Sequence, residues 1–378
     1  MKITYCIVGT FRPGGMERVL ANKANYLAGL GHDVRIVTTD QKGRKPYFGL
    51  DERIALVDLG INYLDDAGKG LLAKTAAYLG RRRRHRKQLE AYLKQDTPDV
   101  TVSMFDHDAS FLYRIQDGSR KVLEIHFSRF KRLQYDRKGL WGWVDRYRSE
   151  KDRKLALKYD RFVVLTEEDR PNWGPMPHIR VIPNANSFVP SGSSGLTVKS
   201  VLAVGRFEAQ KGFDELIRAW AMVDRQEPGW TLNLIGEGPL ERELKELAGK
   251  LNLQHTVTFS APVSDMEREY LASSVVVMTS RYEGLPMVLL EAQACGLPLV
   301  AYRCQCGPAD IIEDGYNGFL VDQGDRVRLA DRLLQLMRDG GLRRTMAKES
   351  LSRAANFESS AVMAQWLELF ESLKKREK

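Results

Sequence analysis

The sequence predicts an α/β protein of two doubly wound domains, and three observations carry that prediction. Short apolar, β-branched runs alternate with longer stretches of helical periodicity. The alternation pauses at residues 187–194, which include Pro190 and Ser191-Gly192-Ser193-Ser194, and then begins again. A length of 378 residues is long for one core and comfortable for two.

In order, residues 2–9 are apolar and β-branched and predict the first strand. Residues 16–30 have helical spacing and stop at Gly31. Residues 33–38 predict a second strand, with further strands at 54–59, 100–104, 121–125 and 161–165. Long helices fit 70–95 and 140–159. After the break, strands are expected near 200–204, 231–235, 256–259, 275–279, 298–302 and 319–321, and an amphipathic helix near 357–374. This βαβα order implies parallel sheets with helices on both faces, and ligands outside the C-terminal ends of the strands. No short repeat suggests a solenoid.

A hydrophobic content of 43% and a charged content of 28% are ordinary for a globular protein. The N-terminus reads as a short strand without the features of a signal peptide, and no uncharged apolar run approaches the length of a membrane span. Cys6 and Cys295 read as small buried hydrophobes. Cys304-Gln305-Cys306 lacks a second Cys/His pair at ligand spacing, so no metal is expected. The cytosol is the expected compartment. The net charge of +9 is uneven: residues 1–190 carry 35 Lys+Arg against 23 Asp+Glu, whereas residues 191–378 carry 23 against 26. The N-terminal half is therefore expected to meet an anionic partner.

The most informative stretch is Ser280 to Ala292. Glu283 and Glu291 are separated by Gly284-Leu285-Pro286 and the apolar run Met287-Val288-Leu289-Leu290. It follows an apolar strand and opens a helix, with Pro286 suited to the first turn. Unpaired N–H groups and a partial positive charge at that turn suit a phosphate. Glu291 lies within reach of ribose hydroxyls, and Glu283 beside whatever the phosphate carries. Phosphate, ribose and sugar together describe a sugar nucleotide.

These residues resemble the Glu-x7-Glu motif of retaining glycosyltransferases of family 4, which have the GT-B fold. The likeness extends over nearly the whole chain. It includes Gly14-Gly15-Met16-Glu17-Arg18, Val204-Gly205-Arg206-Phe207 with Lys211-Gly212, Ile235-Gly236-Glu237-Gly238-Pro239, and Gly307-Pro308-Ala309-Asp310-Ile311-Ile312 with Gly315 and Gly318. It is strongest to bacterial enzymes that extend lipid-linked or surface polysaccharides. The resemblance implies two facing Rossmann-like domains: an acceptor domain over residues 1–188 and a nucleotide-sugar domain over 195–356. It also implies a last helix, 357–378, that crosses back to the first domain.

By the same resemblance, Gly14 and Gly15 underlie the donor, and Arg206 and Lys211 pair with the leaving diphosphate, with nothing nearby neutralising both. His126, at the end of a first-domain strand, donates a hydrogen bond to the donor sugar. Glu283 sits beside the sugar hydroxyls, and Glu291 holds the ribose. Gly236, Pro262, Gly284, Leu285, Pro286, Met287 and Val288 complete the donor site. Backbone contacts to the base leave no side-chain signature separating uridine from guanosine, and UDP is the favoured expectation. Asp106-His107-Asp108 imitates a metal-binding Asp-x-Asp, but Asp106 is assigned to an acceptor hydroxyl. The implied chemistry is metal-free transfer with retention, the leaving phosphate taking the acceptor's proton.

Two basic stretches belong to the first half. Arg81, Arg82, Arg83, Arg84, Arg86 and Lys87 cluster in the helix 70–95 and are expected to cover every face of it. Residues 127–154 mix basic side chains with Phe127, Phe130, Tyr135, Trp141, Trp143 and Tyr147, a membrane-interface composition. Both are assigned to anionic lipid and to a polyprenyl-diphosphate-linked glycan acceptor at the inner membrane. No nucleic-acid motif accompanies the charge. The alternatives are a sugar-nucleotide epimerase of the same fold, and a non-catalytic membrane or nucleic-acid adaptor.

Overall fold

The computed structural model describes residues 1–66, 71–131 and 139–374. The chain divides into two compact units. Unit 1 takes Met1–Leu165, Arg170–Ile182 and the chain from Val362 onward; unit 2 takes Thr166–Asp169 and Pro183–Ala361.

Unit 1 is built on seven parallel strands: β1 (Lys2–Ile7), β2 (Asp33–Thr38), β3 (Ala55–Asp58), β4 (Val100–Ser103), β5 (Arg120–Glu124), β6 (Arg161–Val164) and β7 (Ile179–Val181). Their order is β3-β2-β1-β4-β5-β6-β7. Its long helices are α1 (Gly15–Gly29), α2 (Leu71–Asp96) and α3 (Leu140–Ala156). The central strands are buried on both faces, and they carry buried polar residues, Thr4, Thr101, Ser103, Lys121 and Glu124, among their apolar ones. β7 is not among the expected strands, because three residues carry no period.

Unit 2 has six parallel strands: β8 (Ser200–Val204), β9 (Thr231–Ile235), β10 (Val257–Ser260), β11 (Val275–Met278), β12 (Leu299–Arg303) and β13 (Gly318–Asp322). Their order is β10-β9-β8-β11-β12-β13. Its helices are α4 (Phe213–Asp224), α5 (Glu241–Lys250), α6 (Met266–Leu271), α7 (Met287–Ala294), α8 (Pro308–Ile311), α9 (Arg326–Arg338) and α10 (Gly340–Ala354). The last helix, α11 (Ser359–Lys374), starts in unit 2 and packs in unit 1 from Val362.

α4 shows why such segments become helices. Phe213, Leu216, Ile217 and Trp220 fall on one stripe and are buried against β8, β9 and β11 residues of the same core. Asp214 and Glu215 occupy the first turn, where the helix dipole favours acids. Each fully buried aliphatic side chain contributes about 2 kcal/mol. Gly212 precedes the helix at φ +63°, and a Cβ there would collide with the Thr279 carbonyl. That close approach brings the loop after β8 against the loop after β11.

Residues 187–194 are not a free linker. Ser191 Oγ donates to Glu267 Oε1 at 2.6 Å and Ser194 N–H to the Cys295 carbonyl at 2.9 Å, both within unit 2. The chain changes unit at Ile182–Pro183. In both sheets the order reverses beside the first strand: β1 lies between β2 and β4, and β8 between β9 and β11. Crevices at such switch points are where open α/β sheets bind ligands.

Candidate active site

In unit 2, the loops after β8 and β11 are stitched together. Arg281 N–H donates to the Gln210 carbonyl at 2.7 Å, and Gln210 Nε2 to the Tyr282 carbonyl at 3.0 Å. Arg281 also holds both oxygens of Asp214, at 2.8 and 3.0 Å. This frame places Lys211 Nζ 2.7 Å from Glu283 Oε1, with both side chains largely buried. Arg206 is exposed and pairs with Glu208 Oε1 at 2.9 Å. The expectation that nothing neutralises these two cations is therefore corrected: each has its own carboxylate. The sequence conceals the Lys211 pair because 72 residues separate its members.

Pro286 caps α7 rather than entering its first turn. Leu285 and Pro286 are buried; Gly284, Met287 and Val288 are partly exposed. Glu291 lies on α7 and is only 7% exposed, its Oε2 accepting from the Tyr270 hydroxyl at 2.8 Å. Tyr270 was not among the expected site residues. It belongs to six-residue α6, and only the fold carries it to Glu291. A Cβ on Gly236 would strike the Gly205 carbonyl, so packing of β9 against β8 is enough to require this glycine. Pro262 follows β10 and is exposed.

In unit 1, Gly14 and Gly15 join β1 to α1. The Glu17 carboxylate folds back over Gly14, whereas the space above Gly15 is open. Asp106 follows β4, across the switch point, and its Oδ2 accepts the Val8 N–H at 2.9 Å. Burial pushes the Asp106 carboxyl up to about 6, against the pull of that hydrogen bond. Burial likewise pushes Asp108 up to about 7. Among the described residues, no group of three or more His, Cys, Asp or Glu side chains is placed to hold a metal ion.

His126 follows β5 by two residues. Its Nε2 lies 3.2 Å from Glu124 Oε1, and the side chain is 10% exposed. Glu124 is in turn paired with Lys23 of α1 in the interior. Neither Glu124 nor Lys23 was expected to bear on the site. A signal for Lys23 exists, since it falls on the buried stripe of Leu20, Ala24 and Leu27.

The cations of α2 do not ring the helix as expected. His85, Leu89 and Leu93 face inward and are buried, Arg81 and Arg82 are partly buried, and Arg83, Arg84, Arg86 and Lys87 are exposed. Of the six, only Arg82 lines a cavity of about 870 Å³ that α2 and α3 share with Asp106. Arg114, Arg148, Lys151, Lys154 and Lys158 also line it, and among the described residues Asp106 and Asp152 are its only acids. Arg82 donates to Ser110 Oγ at 3.1 Å; Arg114 and Lys158 both donate to the Tyr113 hydroxyl, at 2.9 and 3.2 Å. Trp141, Trp143 and Tyr147 of α3 are exposed; Tyr135 lies outside the described residues. No helix among the described residues is long and apolar enough to cross a membrane.

Comparisons with known proteins agree with this architecture. Residues 13–185 match the model for Glycosyltransferase Family 4, and residues 191–353 the model for Glycosyl transferases group 1. An uncharacterized glycosyltransferase of Haemophilus influenzae is 29% identical over 97% of this chain and 98% of its own. A Campylobacter jejuni α-1,4-N-acetyl-D-galactosaminyltransferase, whose name specifies a diNAcBac-PP-undecaprenol-linked substrate, is 24% identical over 99% of both chains. Among solved structures, S. aureus TarM in complex with fondaparinux, α-GlcNAc-glycerol and UDP superposes with a TM-score of 0.77. It is 17% identical and covers 98% of this chain and 100% of its own. With a Glycosyltransferase Family 4 domain followed by a Glycosyl transferases group 1 domain along two doubly wound units, the chain is a glycosyltransferase of GT-B fold.

Proposed function

We propose that the protein transfers a hexose or N-acetylhexosamine, with retention, from a UDP-sugar to a polyprenyl-diphosphate-linked glycan in bacterial surface polysaccharide or glycoconjugate assembly. The observation that carries the donor side is the convergence of Lys211, Glu283 and the α7 N-terminus at the switch point of unit 2, with Glu291 one turn further along α7. In this reading Glu291 takes the ribose hydroxyls and the backbone N–H groups of Gly284, Leu285, Met287 and Val288 meet the diphosphate. Lys211 and Arg206 answer the charge that grows on the leaving phosphate. Arg206 is readily recruited, because an exposed pair such as that with Glu208 holds it by about 1 kcal/mol or less. Glu283 orients sugar hydroxyls, and the departing phosphate accepts the acceptor's proton. His126 is the reactive side chain of unit 1 and hydrogen-bonds the sugar. The UDP bound by TarM supports the choice of base.

The acceptor side rests on the basic cavity of unit 1. Three of its cations, Arg82, Arg114 and Lys158, donate to the neutral hydroxyls of Ser110 and Tyr113, which leaves their charge for an anion such as a lipid diphosphate. Asp106 at its rim accepts from the acceptor hydroxyl. Exposed Trp141 and Trp143 beside these cations suit peripheral binding to the inner membrane. The lipid-linked substrate of the Campylobacter relative supports this assignment.

The deciding experiment is a thermal-shift screen of UDP- and GDP-sugars on the wild type and Glu291→Ala. A melting temperature raised by UDP-sugars and unchanged in the variant supports the donor site and its base. No shift with any nucleotide defeats the reading.

A further inference from the structure

Unit 1 buries an ion pair for which the transfer scheme above has no use. Lys23, midway along α1, is 5% exposed, and Glu124, the last residue of β5, 1%. Their Nζ and Oε1 atoms are 2.5 Å apart. Taking both charges out of water is costly, and an apolar pair of the same volume would hold α1 on the sheet at least as well.

The surroundings of the pair give it direction. On one side, the Lys23 ammonium lies 3.7 Å from the centre of the Trp366 ring, so a cation–π contact ties it to α11. On the other, Glu124 Oε1 reaches His126 Nε2 at 3.2 Å. Glu124 and His126 are two residues apart on near-extended chain, so they project to the same side while Ile125 enters the core. Burial alone would push the Glu124 carboxyl up, but the charges of Lys23 and His126 overcome it and hold it below the ordinary carboxylate range. Among the described residues, Glu124 Oε2 and both ring nitrogens of His126 have no hydrogen-bond partner, so the 3.2 Å approach of Glu124 Oε1 to His126 Nε2 is a charge contact that a small turn of the ring converts into a hydrogen bond.

The geometry points to Lys23 and Glu124 as a positioning pair for His126, anchored by Trp366 of the last helix. Lys23 keeps Glu124 ionised. The carboxylate then turns the imidazole and keeps the proton of the neutral ring on Nε2, leaving Nδ1 as its acceptor. His126 thereby accepts from a sugar hydroxyl rather than donating to it. The inference rests on the role given to His126 under Proposed function.

The test uses the full chain and ring ¹⁵N signals of its six histidines, with His126 assigned by its loss in His126→Asn. In the wild type, neutral His126 is expected as the Nε2–H form; an Nδ1–H form overturns the proposal without any further variant. In Lys23→Met/Glu124→Leu, an apolar replacement that leaves no buried charge unpaired, the fold should survive. Its His126 signals should shift, and kcat on the UDP-sugar should fall about tenfold with KM little changed. A folded double variant with wild-type ring signals and wild-type turnover makes the pair merely structural and refutes the inference. A wild type that turns over no nucleotide-sugar defeats the preceding reading, while the ring signals still decide this one.

Discussion

Lys211 Nζ donates to Glu283 Oε1 at 2.7 Å, across two loops that leave neighbouring strands of the same sheet. The contact joins a cation suited to a leaving diphosphate with a carboxylate suited to sugar hydroxyls. Neither charge is fully available until a ligand enters between them. Lys211→Ala and Glu283→Gln should each lower turnover about a hundredfold while the fold is kept. Steady-state kinetics and melting temperatures on the same preparations check this, and near-wild-type kcat in either variant contradicts the assignment.

Tyr270 extends the proposed donor site beyond the motif. Its hydroxyl donates to Glu291 Oε2 at 2.8 Å in the interior. Tyr270→Phe removes a hydrogen bond to a charged acceptor, a loss of about 1.5 kcal/mol or more. UDP affinity measured by calorimetry should fall about tenfold, the equivalent of that energy. Unchanged affinity would confine Tyr270 to packing.

Asp108 sets a pH dependence of stability. Its carboxyl is pushed up to about 7 by burial first and by Asp106. A raised folded pKa means that the group's favourable contribution is full below the unfolded value near 4 and is lost as pH rises through 7. Asp108→Asn keeps the neutral shape at every pH. The variant should therefore match the wild type near pH 4 and exceed it above pH 7, by up to about 4 kcal/mol. Urea unfolding at pH 4.5 and pH 8 measures the difference, and a gap that shrinks with rising pH contradicts the sign.

The proposed membrane docking rests on α3. Trp143 is 75% exposed and Trp141 59%, among side chains with Arg146, Arg148, Lys151 and Lys154 close by in sequence. Flotation with anionic vesicles should be strong at low salt and weak on neutral vesicles. It should decline in Trp141→Ala/Trp143→Ala. Binding that ignores lipid charge refutes the assignment.

The fold was largely legible in the sequence, for a physical reason. Strands buried on both faces are mostly apolar, and helices between them carry one apolar stripe, so β8, β11 and α4 announce themselves locally. β7 did not, because three residues carry no period. The strand, turn and helix that carry Glu283 and Glu291 were legible too, since they fall in one short stretch.

What the sequence by itself determined is therefore the local: which segments are strands and helices, the motif that opens α7, and the excess of positive charge in the first half. The tertiary structure decided which charges meet. Strand order, which no local pattern encodes, put Lys211 on Glu283, Tyr270 on Glu291 and Lys23 on Glu124. It also turned His85 of the basic run inward, because α2 needs one stripe against the core. A charge read from sequence carries its sign but not its partner, and in a buried site the partner decides whether that charge is spent on the fold or kept for a ligand.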